Sequence, residues 1–207
     1  YGVATLEGFG TFGSAELAAL GGLLDYIELT QRGKLPGLKR PVRMLASAAM
    51  LIDPATRRNL ELSRNLSGEL TGSLLAEVDK TVTGPGARLL ARRLGAPSTN
   101  IETIVGRHDD VAFFVGEGGL RESIRRELRQ TPDVERALSR LTLGQGGPRD
   151  LAALRDGLKS ACGLRNCLAN DGVSPLPTGI AGMCVDLGEH GKLIELLTRV
   201  LNEELPL

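Results

Sequence analysis

Several residue sets in this 207-residue sequence have the types and spacing to do chemistry. Gly8, Gly10 and Gly13 spell G-x-G-x-x-G ahead of a helix, the pattern of a dinucleotide cradle. Val3-Ala4-Thr5-Leu6 is a poor buried strand to precede it, and no second strand ending in an acid follows about 20 residues later. A glycine-rich turn entering a helix is the better reading. Cys162, Cys167, Cys184 and His190 offer four soft donors for a tetrahedral zinc. Cys162 and Cys167 lie on one expected helix, about 140° apart around its axis, and cannot converge without breaking it. Small buried hydrophobes are preferred, and a Cys/His nucleophile pair has no third group to orient it. Gly191-Lys192 imitates a phosphate loop, but Asp186 stands where glycine is required and Leu193 where a Ser or Thr would hold magnesium. His108 falls between Ile104 and Val111 and reads as a core or boundary residue.

Arginines form the remaining candidates. Arg88, Arg92 and Arg93 crowd one side of a helix and could make weak phosphate contacts. Arg121, Arg125, Arg126 and Arg129 sit with Glu122 and Glu127 and read as a salt-bridged solvent face. Arg32, Lys34, Lys39, Arg40 and Arg43 form a one-signed cluster, for which a solvated linker is preferred over a phosphate contact. No catalytic, cofactor-binding or metal-binding constellation survives, and no enzyme activity is expected of these residues.

The elements that must position these groups are mostly helical. After the N-cap candidate Ser14, the residues Leu17, Leu20, Leu24 and Ile27 recur at helical spacing as far as Gly33. Around Asp53-Pro54, the runs Val42 to Met44, Met50 to Ile52 and Asn59 to Leu62 read as short strands, giving a small β element near residues 42–62. Beyond Ser73 the pattern is helical. Leu74, Leu75, Val78 and Val82 mark one helix, and Leu89, Leu90 and Leu94 the next, closed by Gly95 and Pro97. Thr99 and Glu102 have the spacing of a capping box, followed by an apolar side made of Ile101, Ile104, Val105, Val111, Ala112 and Val115. Pro132 and Pro148 are placed where first helical turns tolerate proline. A glycine- and proline-rich break over Asp171 to Gly182 leads to a last helix with Leu193, Ile194, Leu197 and Leu201.

Composition narrows the classes. Lys+Arg and Asp+Glu each number 25, so no global basic field gathers nucleic acid. Aromatics are 3% with no tryptophan, which argues against a stacking platform for single strands. Three cysteines without a Cys-x-x-Cys pair, and no signal-peptide pattern, suggest a reducing, cytoplasmic setting. No apolar run approaches the ~20 residues of a membrane span. The first residue, Tyr1, is not Met, which suggests a piece of a longer chain.

One string is more specific. Met50-Leu51-Ile52-Asp53-Pro54-Ala55-Thr56-Arg57-Arg58-Asn59-Leu60-Glu61-Leu62 resembles the segment that opens the core domain of the bacterial MutS mismatch repair family. The likeness continues in order through Leu74, Leu75, Asp79, Thr81, Val82, Thr83, Gly86, Arg88 and Leu90. It resumes at Arg107, Asp109, Val111, Asp133, Glu135, Arg136 and Leu141, then at Pro148 to Leu151. Upstream, Phe9-Gly10 and the helix through Leu24-Asp25-Tyr26 to Thr30-Gln31 resemble the tail of that family's connector domain. The likeness is weakest from Gly163 to His190.

The resemblance implies a mainly α fold. Residues 1–32 would be the connector tail and junction helix, and residues 33–207 the first part of the core or lever domain, ending before the clamp. It implies a structural and allosteric segment linking the DNA-binding and ATPase ends of its parent. The implied partners are the rest of the chain, mismatched duplex DNA, a second copy and a MutL-type protein, with ATP and magnesium bound elsewhere in the parent. Asp53, Thr56, Arg58, Asn59, Asp79, Thr83, Gly86 and Arg88 are the positions expected to fix core geometry, through capping and turn chemistry. The family's Phe-x-Glu mismatch wedge is absent, since none of the four phenylalanines has Glu two residues on. The family's Walker A loop is absent too. Two alternatives are weighed: a free-standing helical interaction module with a core-like pattern, and a relative without repair activity, against which the connector-like first 30 residues count.

Overall fold

The computed structural model describes residues 11–31, 38, 41, 42, 49–169 and 175–201. Among them the chain forms ten helices: α1 (Ser14–Thr30), α2 (Pro54–Asn59), α3 (Leu74–Val78), α4 (Gly84–Gly95), α5 (Ile101–Gly116), α6 (Gly118–Gln130), α7 (Val134–Thr142), α8 (Pro148–Leu168), α9 (Thr178–Asp186) and α10 (Gly191–Val200). The mainly α expectation holds. The small β element does not: the only pairing among the described residues is an isolated antiparallel bridge between Ala49 and Ser98. Asp53 caps a helix there instead of opening a turn between strands, and Pro54 takes the first helical position, where its missing N–H has no role. Residues 43 and 44 of the expected strands lie outside the described residues, as does the basic cluster Arg32, Lys34, Lys39, Arg40 and Arg43.

Helix starts explain the other shifts. Gly13, not Ser14, is the N-cap of α1, and its N–H donates to Glu16 Oε2 at 2.7 Å. Gly8 and Gly10 lie outside the described residues. The cap of α5 is Asn100, whose Oδ1 accepts the Thr103 N–H at 2.7 Å, so the Thr99–Glu102 register is one residue off. An amide oxygen caps better than a threonine hydroxyl. Pro132 precedes α7 without entering it, because Asp133 is the cap, while Pro148 does occupy the first position of α8. The break expected over 171–182 is shorter than expected: α9 begins at Thr178 and buries Ile180.

α8 is the centre of the packing. It lies against α6, α7 and α10, and α5 packs on α6 and α9. One glycine on α8 permits the close approach: a Cβ on Gly157 would collide with Val134 Cγ2 of α7, whereas one on Gly163 would meet only the movable end of Glu127 of α6. Among the described residues, the buried apolar side chains Ala137, Ala152, Leu168, Ile180 and Leu197 belong mostly to this bundle, and only Leu62 lies upstream of it.

α5 orients differently from its apolar pattern. Ile101, Val105, Val111 and Val115 are exposed, at 74%, 50%, 62% and 69%. The covered side of the helix carries Ile104, Asp110, Phe113 and Phe114, half-buried, with the two rings edge to face at 5.3 Å. The two phenylalanines bury more apolar surface than the valines would, and Asp110 is carried to the same side, where it fits against Gly179 of α9, which has no Cβ to block it. His108 is exposed and not at the core. No helix among the described residues is long and apolar enough to cross a membrane.

Candidate functional site

Of the eight residues expected to fix core geometry, Asp53, Thr56, Asp79, Thr83 and Gly86 take part in local caps and turns and Arg88 makes a long-range grip, whereas the Arg58 and Asn59 side chains do neither. Asp53 Oδ1 accepts the N–H groups of Ala55 and Thr56, each at 2.9 Å, and Oδ2 accepts the Thr56 hydroxyl at 2.5 Å. Those three donors, the Thr56 hydroxyl first, hold the Asp53 carboxyl below its usual pKa. Arg58 and Asn59 follow on the exposed side of the same short helix.

Asp79 repeats the device without a helix. Its Oδ1 accepts the Thr81 N–H at 2.9 Å and the Thr81 hydroxyl at 2.6 Å, and the hydroxyl again leads in lowering its pKa. Two residues on, Thr83 Oγ1 accepts the Gly86 N–H at 3.1 Å and starts α4. Gly86 is required for this contact, since a Cβ there would lie 2.8 Å from that oxygen.

The capped start of α4 sets up Arg88. Its guanidinium is bidentate on Asp133, with Nη1 to Oδ2 at 2.8 Å and Nη2 to Oδ1 at 3.1 Å, and Nη2 also reaches Glu135 Oε2 at 2.8 Å. Both carboxylates raise the Arg88 pKa, Asp133 more strongly, and Arg88 in turn lowers that of Asp133. Asp133 also caps α7 by accepting the Arg136 N–H at 3.3 Å. One carboxylate thus starts a helix and ties it to another 45 residues upstream.

Two more struts continue the line. Arg140 on α7 donates from Nε to Asp150 Oδ1 at 2.9 Å, with a second contact from Nη2, while Asp150 Oδ2 takes the Gly147 N–H at 3.0 Å. The Asp150 side chain is only 6% exposed and is lowered in pKa, first by Arg140 and then by Gly147. Arg165 on α8 donates to the Gly188 carbonyl at 3.0 Å and to Glu189 Oε1 at 2.6 Å, just ahead of α10. Arg125 on α6 reaches back to the Lys80 carbonyl at 3.0 Å.

The structure therefore gathers Asp79, Thr83, Gly86 and Arg88 at one end of α4, and keeps Asp53, Thr56, Arg58 and Asn59 on α2. Arg88 is separated in role from Arg92 and Arg93. The latter are largely exposed, and partial desolvation of the Arg93 guanidinium, with the nearby cations of Arg107 and Arg92, lowers its pKa, offset by Asp110. The expected salt-bridged face of α6 is absent among the described residues: Arg121 donates to the Phe114 carbonyl at 2.8 Å and Arg125 to that of Lys80. Those carbonyls lie where the α5–α6 junction and the residues before α4 leave acceptors open, nearer than Glu122 or Glu127. Cys162, Cys167 and Cys184 are free thiols, half-buried instead of buried. His190 caps α10 and its Nε2 lies 3.1 Å from the Leu187 carbonyl oxygen. The described residues form no group of three His, Cys, Asp or Glu side chains that could hold a metal ion.

Sequence reasoning missed Arg140, Asp150, Gly157 and Arg165. Only Asp150 carried a signal, three residues after Gly147 and next to the helix-starting Pro148.

What fold and site define together is an all-helical scaffold, in which charged struts run from helix to helix. Sequence comparison gives it a family. The profile of MutS domain III matches residues 55–207. The chain is 52% identical to the DNA mismatch repair protein MutS of Ruegeria pomeroyi and 48% identical to that of Dinoroseobacter shibae. The protein of the same name from Paracoccus denitrificans is 49% identical. In each case all of this chain aligns, with 23% of the relative, so the chain spans about a quarter of the length of these curated relatives. The chain belongs to the MutS family, and its residues 55–207 correspond to domain III.

Proposed function

We propose that this segment couples distant sites within a mismatch repair protein and performs no chemistry itself. The observation that carries the reading is the unbroken series of struts: Arg88 to Asp133 and Glu135, Arg140 to Asp150, Arg165 to Gly188 and Glu189. Such a series lets α4, α7, α8 and the start of α10 move as one body, and coupling between sites needs packed elements that keep their mutual geometry while shifting together. In this reading the parent binds mismatched duplex DNA at one end and ATP with magnesium at the other. It works as a homodimer with a MutL-type partner in the cytoplasm. Residues 1–32 would belong to the connector and residues 33–207 to the lever region. A free-standing interaction module is not favoured, since relatives at about half identity carry this stretch as 23% of their length.

The test is the Arg88→Gln substitution in the full-length parent. Mismatched-DNA affinity and basal ATP turnover should each stay within about twofold, while stimulation of turnover by DNA falls several-fold, because coupling and binding are separate free energies. Unchanged stimulation in Arg88→Gln and in Asp150→Asn would exclude the strut series as the coupling path.

A further inference from the structure

The residues around α2 leave an open cleft of about 580 Å³, lined by Arg57, Arg58, Ser63, Arg64, Asn65 and Ser67, with Leu66 and Pro54 as its apolar part. Three guanidinium groups border it and no carboxylate does. The neighbouring acids are engaged by backbone groups: Asp53 accepts the N–H groups of Ala55 and Thr56, and Glu61 Oε1 accepts the Leu66 N–H at 2.6 Å. Arg88, Arg136, Arg140, Arg155 and Arg165 have carboxylate partners, whereas among the described residues Arg57, Arg58 and Arg64 have none. Others such as Arg121 and Arg125 have none either, so it is the convergence of three unpaired guanidinium groups on one cleft that sets this place apart.

The cleft is also preorganised. Arg57 is wedged toward α4, its Nη1 standing 2.9 Å from where a Cβ on Gly95 would be. Arg64 Nη1 donates to the Gly68 carbonyl at 2.7 Å, which leaves its remaining N–H groups for another acceptor. Asn65 ties the loop down, accepting the Glu69 N–H at 2.8 Å and donating to the Thr71 carbonyl at 3.0 Å. The loop bends through Gly68 and Gly72, both at positive φ. Clefts of a few hundred Å³ with a few converging polar groups are the usual form of a small-ligand site.

We propose that this cleft binds a phosphate group carried on a larger molecule. Guanidinium groups approaching from a helix and from a loop, with two serine hydroxyls between them, suit an acceptor whose oxygens point in several directions, as those of a phosphate do. The cleft's volume leaves room for the group bearing the phosphate, and Leu66 and Pro54 give that group an apolar surface. The same chemistry is supplied by a nucleic-acid backbone or by a free nucleotide.

The experiment is an amide NMR titration of the full chain with inorganic phosphate, at ionic strength held constant with sodium chloride. Saturable shifts confined to residues 57–68 are expected. Arg58→Gln, whose side chain holds no other element in place, should weaken the binding about tenfold, the size of a lost charge-assisted hydrogen bond. Arg149→Gln, exposed on α8, should leave it unchanged. Ser67→Ala provides a second variant, expected to weaken it less. A short duplex DNA and a nucleoside monophosphate then identify the source. Arg58-dependent shifts with the duplex point to a backbone phosphate, and displacement of phosphate by the nucleotide alone points to a free ester. Non-saturable shifts, shifts spread over the chain, or equal weakening by Arg58→Gln and Arg149→Gln would overturn the proposal.

Discussion

The stretch from Ala49 to Lys80 and the bundle of α6, α7, α8 and α10 are held together by different physics. The first is stabilised locally: Asp53, Ser73, Asn65 and Asp79 bond to backbone groups within six residues, and of its apolar side chains only Leu62 is buried. The bundle instead uses contacts between helices, with α8 approached closely at Gly157 and carboxylates gripped from neighbouring elements. A capped segment keeps its shape with little core, so its surface residues stay available. A packed bundle transmits displacement but tolerates little change in volume.

Substitutions should separate the two regions, starting with the bundle's core. Leu168→Ala removes an α8 side chain that is 8% exposed and should cost about 2–5 kcal/mol in urea unfolding. Leu60→Ala, at an exposed position of the capped stretch, should stay within about 0.5 kcal/mol. Equal effects would abolish the distinction. Gly157→Val overfills the α7–α8 contact and should cost about 1–3 kcal/mol by the same measurement. Ser73→Ala attacks the capped stretch at its strongest point, where the hydroxyl is fully buried, donates to the Leu70 carbonyl at 2.7 Å and accepts the Ala76 N–H. A loss of about 0.5–2 kcal/mol is expected.

Acid should weaken both regions over one window. Asp53, Asp79, Asp133, Asp150 and Asp156 all sit below their usual 3.8, and Glu189 below 4.5. Each of these groups takes up its proton more readily in the unfolded chain than in the folded one. Their stabilisation is therefore fully present above about pH 5 and is lost as pH falls through the depressed values. Melting temperature should be flat from neutral pH to about 5 and drop below about 4, and Asp150→Asn should make the drop shallower. The smallest effect belongs to Arg58→Gln, which should leave stability within about 0.5 kcal/mol, because no partner holds that side chain among the described residues.

Legibility followed the same division. First-turn signals are written in a few adjacent residues, so Pro148 at the start of α8 is readable directly. Errors arose where two local signals compete. Asp53-Pro54 suits a turn between strands as well as an N-cap with proline at the first position, and a six-residue helix is too short for periodicity to decide. Thr99 and Asn100 both cap well, and only backbone geometry selects the second. Arg88 was singled out by its likeness to a family motif, whereas its grip on Asp133 and Glu135 joins residues 45 and 47 apart that no local pattern connects. Arg140 with Asp150 is likewise a pair made by the turn between α7 and α8. Gly157 and Gly163 resemble any helix-weakening glycine until the partner helix is known.

The Gly157 notch has a mechanical consequence. Val134 occupies the space a Cβ would fill, so α8 is keyed against α7 like a tooth in a slot. To slip along its axis by one turn, about 5.4 Å, α8 would have to present Ala153 or Ala161 to Val134, and either methyl closes the slot. Axial slippage is thereby blocked in both directions, and a push on one helix is passed to the other without loss of register.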